Sequence, residues 1–348
     1  MKAACFATYG GSIDVVDLPD PIPPEGGVVL EVHANGVCRS DWHGWVGHDE
    51  SISLPHVPGH EMSGVVIDVG PGVDPSFVGR RVVVPFILSC GECSQCASGN
   101  HQVCERQYQP GFSGWGAFAP YVSLPYASGN LIDLPEEMTF VTAAGLGCRF
   151  ATAFRAVVDQ GAVSVGTSVA VWGCGGVGLS AVMIASAMGA SVIAIDVDQA
   201  ALDFAGVCGA TETVLAGGGV DAVEAVRDLS GGGVDVSLDA LGSTQTSVSS
   251  IGCLAVRGRH VQVGLMVGEH DRPAIPMSDL HAKEVEFYGS HGMAAWRYPD
   301  MLAMIVDGRL DPGALVTETF DLGGGVRHLM SMDTFPGTGF AVITDYPS

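Results

Sequence analysis

Two patterns of hydrophobic and polar residues divide the chain near residue 150. Before that point, short apolar runs at 27–32, 64–69 and 81–86 are separated by turn-rich segments such as PDPIPPEGG. Short β-like runs broken by Gly and Pro predict an antiparallel, partly barrel-like domain.

After residue 150 the chain alternates between strand-like and helix-like segments. SVAVWG, SVIAID, VDVSLDALG and HVQVGL are strand-like, and LSAVMIASAMGA between the first two is helix-like. This alternation predicts a doubly wound parallel sheet and therefore the α/β class. From about residue 292, a helix through YPDMLAMIVDGRL and a final strand in GFAVITD are expected.

One uncharged stretch, from Gly161 to Ile195, has the hydropathy of a membrane span. It contains two strand-like runs, a glycine cluster and a helix-like run, so a buried β–α–β unit explains it better than lipid does.

Length and charge indicate the number of domains and exclude some classes of partner. A chain of 348 residues exceeds one ordinary core, which predicts two domains. The formal charge of −23, from 38 acidic and 15 basic side chains, argues against nucleic acids and anionic membranes as partners. The N-terminus has no apolar signal segment, so we expect a cytoplasmic protein whose ten cysteines are reduced.

The segment WGCGGVGL places three glycines in a G-x-G-x-x-G pattern between a strand-like and a helix-like run. In that context the loop binds a dinucleotide pyrophosphate at a helix N-terminus. A tight turn without a nucleotide is the alternative. The predicted cofactor-binding residues of the loop are Gly173, Gly175, Gly176, Val177 and Gly178.

Asp196 ends the next strand-like run, VIAID. A carboxylate at this position accepts the ribose hydroxyls of NAD and repels the 2′-phosphate of NADP. No Arg or Lys follows in residues 197–202, so NAD is the predicted cofactor.

Four cysteines lie within a lobe at about residues 89–105. Their spacing is typical of a tetrahedral Zn²⁺ site with no open position, which stabilises a loop and does no chemistry. A chance cluster of buried or disulfide-bonded cysteines is the alternative. The four are Cys90, Cys93, Cys96 and Cys104.

Cys38, His60 and Cys148 are candidates for a second, open zinc site. Two thiolates and an imidazole leave one tetrahedral position free for water or an alcohol. Sequence spacing alone cannot join such distant residues, and each taken singly is more often a buried Cys or a hydrogen-bonded His.

Taken together, these motifs resemble those of the zinc-dependent medium-chain alcohol dehydrogenases. C-R-S-D-x-H, G-H-E, the four-cysteine lobe, G-C-x-x-x-T and the glycine loop occur in the family's order over essentially the whole chain. The resemblance implies a GroES-like catalytic domain at residues 1–150 and 291–348, interrupted by a Rossmann NAD-binding domain at 151–290.

The resemblance also implies a role for each matching residue near the metal. Cys38, His60 and Cys148 become the catalytic zinc ligands. Glu61 lies behind the metal, able to approach it while ligands exchange, and Asp41 holds the His60 imidazole in one tautomer.

Further roles concern the proton and the cofactor. Ser40 receives the proton of the alcohol, and His43 passes it to solvent through the cofactor ribose; a solvated surface histidine is the alternative for His43. Arg39 contacts the pyrophosphate, Thr152 lies beside the nicotinamide, and Val263 is also expected to contact the cofactor.

Two departures from relatives affect the prediction. Many relatives have a pyrophosphate-binding Arg in the closing strand where this chain has Phe340. Polyol dehydrogenases usually have Glu where this chain has Cys148, so cysteine favours simple alcohols.

Trp42, Phe86 and Trp115 are candidates for an aromatic substrate pocket, and packing of the small domain is the alternative.

The sequence therefore predicts a zinc enzyme, with two zincs per chain, that moves a hydride between NAD and a primary or secondary alcohol or its carbonyl product. An NAD-dependent polyol or other hydroxyl-substrate dehydrogenase is the first alternative, and a non-catalytic zinc- and nucleotide-binding sensor is the second. Relatives form dimers or tetramers, so a homodimer or homotetramer is expected.

Overall fold

The computed structural model describes residues 1–334 and 337–347. The predicted segment 291–348 therefore includes residues 335, 336 and 348, which lie outside the described residues. The strands are β1 Lys2–Cys5, β2 Asp14–Asp17, β3 Val28–Val37, β4 Glu61–Val69, β5 Arg81–Val83, β6 Tyr121–Leu124, β7 Ile132–Asp133, β8 Ser168–Trp172, β9 Ser191–Asp196, β10 Glu212–Leu215, β11 Val234–Asp239, β12 Leu254–Gln262, β13 Glu286–Gly289, β14 Val316–Asp321 and β15 Phe340–Asp345. The helices are α1 Arg39–Val46, α2 Ser94–Ala97, α3 Phe140–Ala144, α4 Arg149–Phe154, α5 Gly176–Ala187, α6 Gln199–Val207, α7 Ala222–Ser230, α8 Thr244–Gly252, α9 Met277–Lys283, α10 Tyr298–Val306 and α11 Leu322–Met330.

The described chain forms two units. Unit 1 comprises Met1–Ala151, Gly292–Asp307 and Asp311–Ser348, and unit 2 comprises Thr152–His291 and Gly308–Leu310.

Unit 1 is rich in antiparallel β-structure. Its larger sheet has the order β14-β15-β3-β4-β5-β7, with β6 also paired to β3, and β1 pairs with β2 in a separate ribbon. The central strand β3 is almost continuously buried because neighbouring strands and α-helices cover it. Gly64 of β4 faces the β3 backbone so closely that a Cβ would lie 1.9 Å from the Glu31 carbonyl oxygen.

Unit 2 is a six-stranded sheet in the order β10-β9-β8-β11-β12-β13, and every pair in it is parallel. The strand order reverses beside β8, which is the arrangement of a doubly wound fold. The predicted α/β class and doubly wound sheet are confirmed. The uncharged stretch that begins at Gly161 folds as β8, α5 and β9, and most of its side chains are buried.

Among the described residues, no individual helix has the length and apolar character needed to cross a bilayer. One bent pair, Phe140–Gly147 followed by Arg149–Gln160, meets those criteria of length and composition when its two parts are taken together.

Candidate active site

Three elements of unit 1 converge on the first candidate metal centre. Cys38 follows β3 and is the N-cap of α1, a position where the helix dipole favours a thiolate. His60 immediately precedes β4, and the register that pairs Gly36 with Glu61 brings these strand ends together. Cys148 lies between the turn at 145–147 and α4.

The structure brings the ligand atoms of Cys38, His60, Glu61 and Cys148 within 4.8 Å of one another. All four residues are buried. A hydrogen bond between the two thiols lowers the pKa of Cys38 and raises the pKa of Cys148. Two thiols this close share one negative charge, and a cation bound between them would stabilise both as thiolates.

The imidazole of His60 is oriented by a buried carboxylate. Its Nδ1 donates to Oδ1 of Asp41 at 2.8 Å, and the same oxygen accepts the backbone N–H of Gly59 at 2.9 Å. Nε2 of His60 is buried without a hydrogen-bond partner among the described residues. An unpartnered nitrogen beside two thiols fits a zinc ligand set of two sulfurs and one nitrogen.

Glu61 is held by a residue that the sequence analysis did not select. Its carboxylate accepts two hydrogen bonds from Nε of Arg149, at 2.8 and 3.0 Å, and a further one from Nη2. The backbone N–H of Arg149 also donates to Glu61, at 2.8 Å. The guanidinium lies 4.1 Å from the ring centroid of Phe340. The ring of Phe340 therefore packs against the Arg149 guanidinium, at the first residue of α4.

The predicted proton-transfer residues lie along α1. Ser40 is half-buried in the first turn, and His43 lies one turn later against the ring of Trp42, with their centroids 5.1 Å apart. Burial, followed by the charge of Arg39, lowers the pKa of His43 to about 4. Its imidazole is therefore neutral at neutral pH and has a lone pair that can accept a proton.

Arg39 is also partly buried in α1. Its Nη1 donates to the carbonyl of Met332, and its guanidinium lies 4.7 Å from the ring centroid of Trp42.

The four cysteines of the lobe form a second, separate cluster whose ligand atoms lie within 4.8 Å of one another. Sγ–Sγ distances of 3.4, 3.5 and 3.7 Å join neighbouring members. These distances are far too long for disulfides and close to the roughly 3.8 Å expected around a tetrahedral ion with Zn–S bonds of ~2.3 Å. Backbone N–H groups of Cys90, Glu92 and Arg106 point at the sulfurs. The donor set therefore fits a zinc ion.

Charge in the lobe is shared among the thiols. The hydrogen bond from the Glu92 backbone lowers the pKa of Cys90 to about 6, whereas burial raises the pKa of Cys96 to about 12.

The glycine loop of unit 2 connects β8 to α5. Gly173 has φ +91°, and a Cβ on Gly178 would lie 1.8 Å from the Gly173 carbonyl oxygen, so both positions require glycine. A Cβ on Gly175 would meet open space. Gly175 is also the N-cap of α5 and supplies no side-chain cap. The helix therefore presents free N–H groups, as expected for a phosphate cradle, and Gly176 and Val177 form its first turn.

Asp196 ends β9 and is tied to this loop. Its Oδ2 accepts the backbone N–H of Cys174 at 2.6 Å, and its Oδ1 accepts those of Val197 and Asp198. Val263 follows β12 and donates its backbone N–H to the carbonyl of Asp239.

Thr152 is buried at the beginning of unit 2. Its Oγ1 has no hydrogen-bond partner among the described residues.

Of the three aromatic candidates, Trp42 packs beside His43 and Arg39, as described above, and the other two lie in different surroundings. Phe86 packs with Ile87 and Cys148, and its ring centroid is 6.0 Å from that of His60. Trp115 is 37% exposed, donates to the carbonyl of Pro55, and lines a cavity of about 530 Å³ that also includes three tyrosines. The cavity's lining contains none of the three proposed catalytic zinc ligands.

Four residues near the candidate site were missed by sequence reasoning. Phe112 has its ring centroid 5.1 Å from that of His60, and the buried hydroxyl of Tyr298 donates to the carbonyl of Leu146 at 3.0 Å. The others are Arg149 and His48, which contact Glu61 and His43. The position of Arg149 directly after Cys148, within an otherwise apolar run, is a signal that could have revealed it.

Comparison with known proteins adds independent evidence. Residues 24–136 match the family model described as "Alcohol dehydrogenase GroES-like domain", and residues 176–307 match "Zinc-binding dehydrogenase". An alcohol dehydrogenase of Geobacillus stearothermophilus is 34% identical over 83% of this chain and 84% of its own length.

The chain belongs to the zinc-dependent medium-chain alcohol dehydrogenase family. A sorbitol dehydrogenase of Halalkalibacterium halodurans, a further relative, is 30% identical over 92% of this chain and 93% of its own. A solved structure titled as an NAD-dependent alcohol dehydrogenase is 31% identical, covers 99% of both chains and superposes with a TM-score of 0.89. The predicted family and GroES-like plus Rossmann fold are thus confirmed.

Proposed function

We propose that this enzyme transfers a hydride between a primary or secondary alcohol and NAD, interconverting the alcohol with its aldehyde or ketone. The observation that carries the proposal is the buried convergence of the Cys38 and Cys148 thiols with Nε2 of His60, a nitrogen that has no hydrogen-bond partner within the described part of the chain. Three such ligands leave one tetrahedral position for the substrate oxygen.

Zinc at these three residues would supply Lewis acidity, making the substrate hydroxyl more acidic or polarising a carbonyl in the reverse direction. Asp41 keeps the Nδ1 proton on His60, which leaves the lone pair of Nε2 free to bind zinc. Glu61, restrained by Arg149, provides negative charge behind the site. The four-cysteine cluster holds a second zinc with a structural role, giving two zincs per chain.

Ser40 would accept the proton of the alcohol, and His43 would pass it toward solvent by way of the ribose of bound NAD. Burial lowers the pKa of His43 to about 4, so its imidazole is neutral at neutral pH and would hold a transferred proton only transiently.

The glycine loop and the N-terminus of α5 bind the pyrophosphate of NAD, together with Arg39. Asp196 accepts the ribose hydroxyls and selects against NADP. Val263 and Thr152 complete the cofactor contacts. The buried hydroxyl of Thr152, which has no hydrogen-bond partner among the residues that the structure describes, supports a nicotinamide contact at this position. We assign unit 1 as the catalytic domain and unit 2 as the NAD-binding domain of a cytoplasmic homodimer or homotetramer.

Trp42 and Phe86 favour aromatic or medium-length apolar substrates, because large apolar rings contribute binding free energy through burial. Trp115 is the weakest member of the pocket set, since it lines a cavity without zinc ligands.

A polyol dehydrogenase is the second candidate, favoured by similarity to the sorbitol dehydrogenase. The thiol of Cys148 at the third ligand position favours the simple alcohol.

A panel of aliphatic, aryl and polyol substrates, assayed with NAD and with NADP, tests the proposal. We expect NADH formation to be fastest with apolar alcohols and much slower with NADP. Fastest turnover of polyols would support the second candidate. Absence of turnover from enzyme that contains two zincs would support the non-catalytic sensor.

A further inference from the structure

A second histidine contacts the proposed proton carrier. Nδ1 of His43 and Nδ1 of His48 lie 2.8 Å apart, which is hydrogen-bonding distance. The ring centroids are 5.1 Å apart with an interplanar angle of 35°, and His48 is exposed where His43 is partly buried. The exposed imidazole of His48 therefore connects the partly buried imidazole of His43 to solvent.

The end of α1 creates this contact. Gly47 has φ +90°, a conformation that favours glycine, and its N–H bonds to the carbonyl of Gly44. The N–H of His48 bonds to the carbonyl of His43 at 2.9 Å. These two bonds form a Schellman motif, which reverses the chain and returns residue 48 to the face of the helix that carries residue 43.

Other contacts pack against the two rings and against the turn that joins them. Trp42 meets His43 and His48 edge-on, with centroid distances of 5.1 and 5.9 Å. A Cβ on Gly47 would approach the Tyr9 ring to 3.1 Å, so the turn is also packed from outside the helix.

We propose that His48 is the solvent-facing member of a two-histidine proton relay, a role that rests on the proposed function of His43. Oxidation of an alcohol to a carbonyl sends a hydride to NAD and releases one proton. The proton that reaches Nε2 of His43 leaves from its Nδ1 to Nδ1 of His48, and His48 releases its Nε2 proton to water. No electrons move in this transfer. Each ring changes tautomer, and transfer in the reverse direction or ring rotation restores it.

His48 is thus a positioning and relay residue that acts through His43. A glutamine at position 48 can keep a hydrogen bond to His43 but cannot accept a proton at neutral pH. His48→Gln therefore separates the relay from a merely structural contact. His33→Gln is the matched control, because His33 is exposed in the same unit and pairs with Glu31 instead.

The experiment follows a single turnover of the zinc-loaded enzyme with NAD and an alcohol, recording NADH absorbance and the proton released to a pH indicator. We expect His48→Gln to slow proton release by about 10-fold, less than the 10²–10⁴-fold typical of a direct general base. Rising concentrations of HEPES at constant pH and ionic strength should restore the rate, because the buffer accepts the proton in place of His48. His33→Gln should leave it unchanged.

Three outcomes overturn the proposal and differ in meaning. Slow proton release in His43→Gln, together with an unchanged rate in His48→Gln, would place the end of the relay at His43. Unchanged rates in both variants would also remove the proposed role of His43. A slow His48→Gln variant that HEPES does not rescue would indicate a structural contact only and would equally overturn the relay.

Discussion

The two cysteine-containing clusters of unit 1 differ in how they are built. The closed cluster takes all four sulfurs from one short lobe, residues 90–104, and backbone N–H groups of the same lobe support them. The second group brings together Cys38, His60, Glu61 and Cys148, and we propose its two cysteines and its histidine as an open zinc site, here called the open cluster. The Asp41 carboxylate and the Arg149–Glu61 ion pair are buried beside it. A local set of four thiols suits structure, whereas a long-range set of three leaves a position for chemistry.

Removing a ligand from the open cluster should have the largest effect. For Cys148→Ser we expect kcat/KM to fall by about 10³-fold or more, because the substrate oxygen loses its electrostatic stabilisation. The zinc content should fall from two to one per chain. Elemental analysis and steady-state kinetics measure both quantities.

Cys5→Ser is the control for that experiment, since Cys5 is half-buried and belongs to neither cluster. A Cys148→Ser enzyme that retains two zincs and full activity would contradict the assignment.

The buried ion pair behind the open cluster is the next test. Arg149→Met should lower the free energy of unfolding by about 3–5 kcal/mol, because it leaves the Glu61 carboxylate buried without its cation. The double variant Arg149→Met/Glu61→Gln should recover part of that loss. Denaturant titration measures each value.

Arg80→Met provides a matched control, because it removes an exposed pair with Asp133 and should cost less than about 1 kcal/mol. Equal losses for Arg149→Met and Arg80→Met would show that the buried pair has no special role.

Loss of a ligand from the closed cluster should lower the free energy of unfolding without lowering kcat. Cys93→Ser is expected to lower the free energy of unfolding by about 3 kcal/mol, since folding of the lobe is linked to metal binding. The kcat of the folded fraction should stay close to that of the unmodified enzyme. Loss of kcat matching that of Cys148→Ser, at unchanged stability, would reverse the roles of the two clusters.

The smallest effect concerns the orientation of a ligand. Asp41→Asn should weaken zinc binding at the open cluster by about 10- to 100-fold, because the His60 tautomer is held less firmly. The four-cysteine cluster has no imidazole ligand, so its affinity should not change. Competition with a chromogenic chelator resolves the two zincs, and equal weakening of both would contradict the proposed role.

Local sequence patterns were the most informative about structure. The glycine loop, its flanking strand and helix, and the four clustered cysteines are close together in the chain, and each has a short-range physical reason for its spacing. Strand limits were less accurate: β12 begins at Leu254, earlier than the expected HVQVGL run, because Leu254 pairs with Val234 of β11.

Long-range contacts were beyond reach of pattern analysis. Joining Cys38, His60 and Cys148 required resemblance to a family, and the individual roles of these residues stay predictions. Arg149 bonds to Glu61, 88 positions away, so no local signal identified their pairing. Phe340 marked a departure from relatives, but only the fold revealed the guanidinium stacked on its ring.

Anomalous diffraction at the zinc absorption edge, on crystals of the zinc-loaded enzyme, tests the central claim most directly. The account predicts two peaks per chain: one surrounded by four sulfurs, and one bound by Cys38, His60 and Cys148 with a non-protein fourth ligand. A single peak at the four-cysteine cluster, with no peak bound by Cys38, His60 and Cys148, would contradict it.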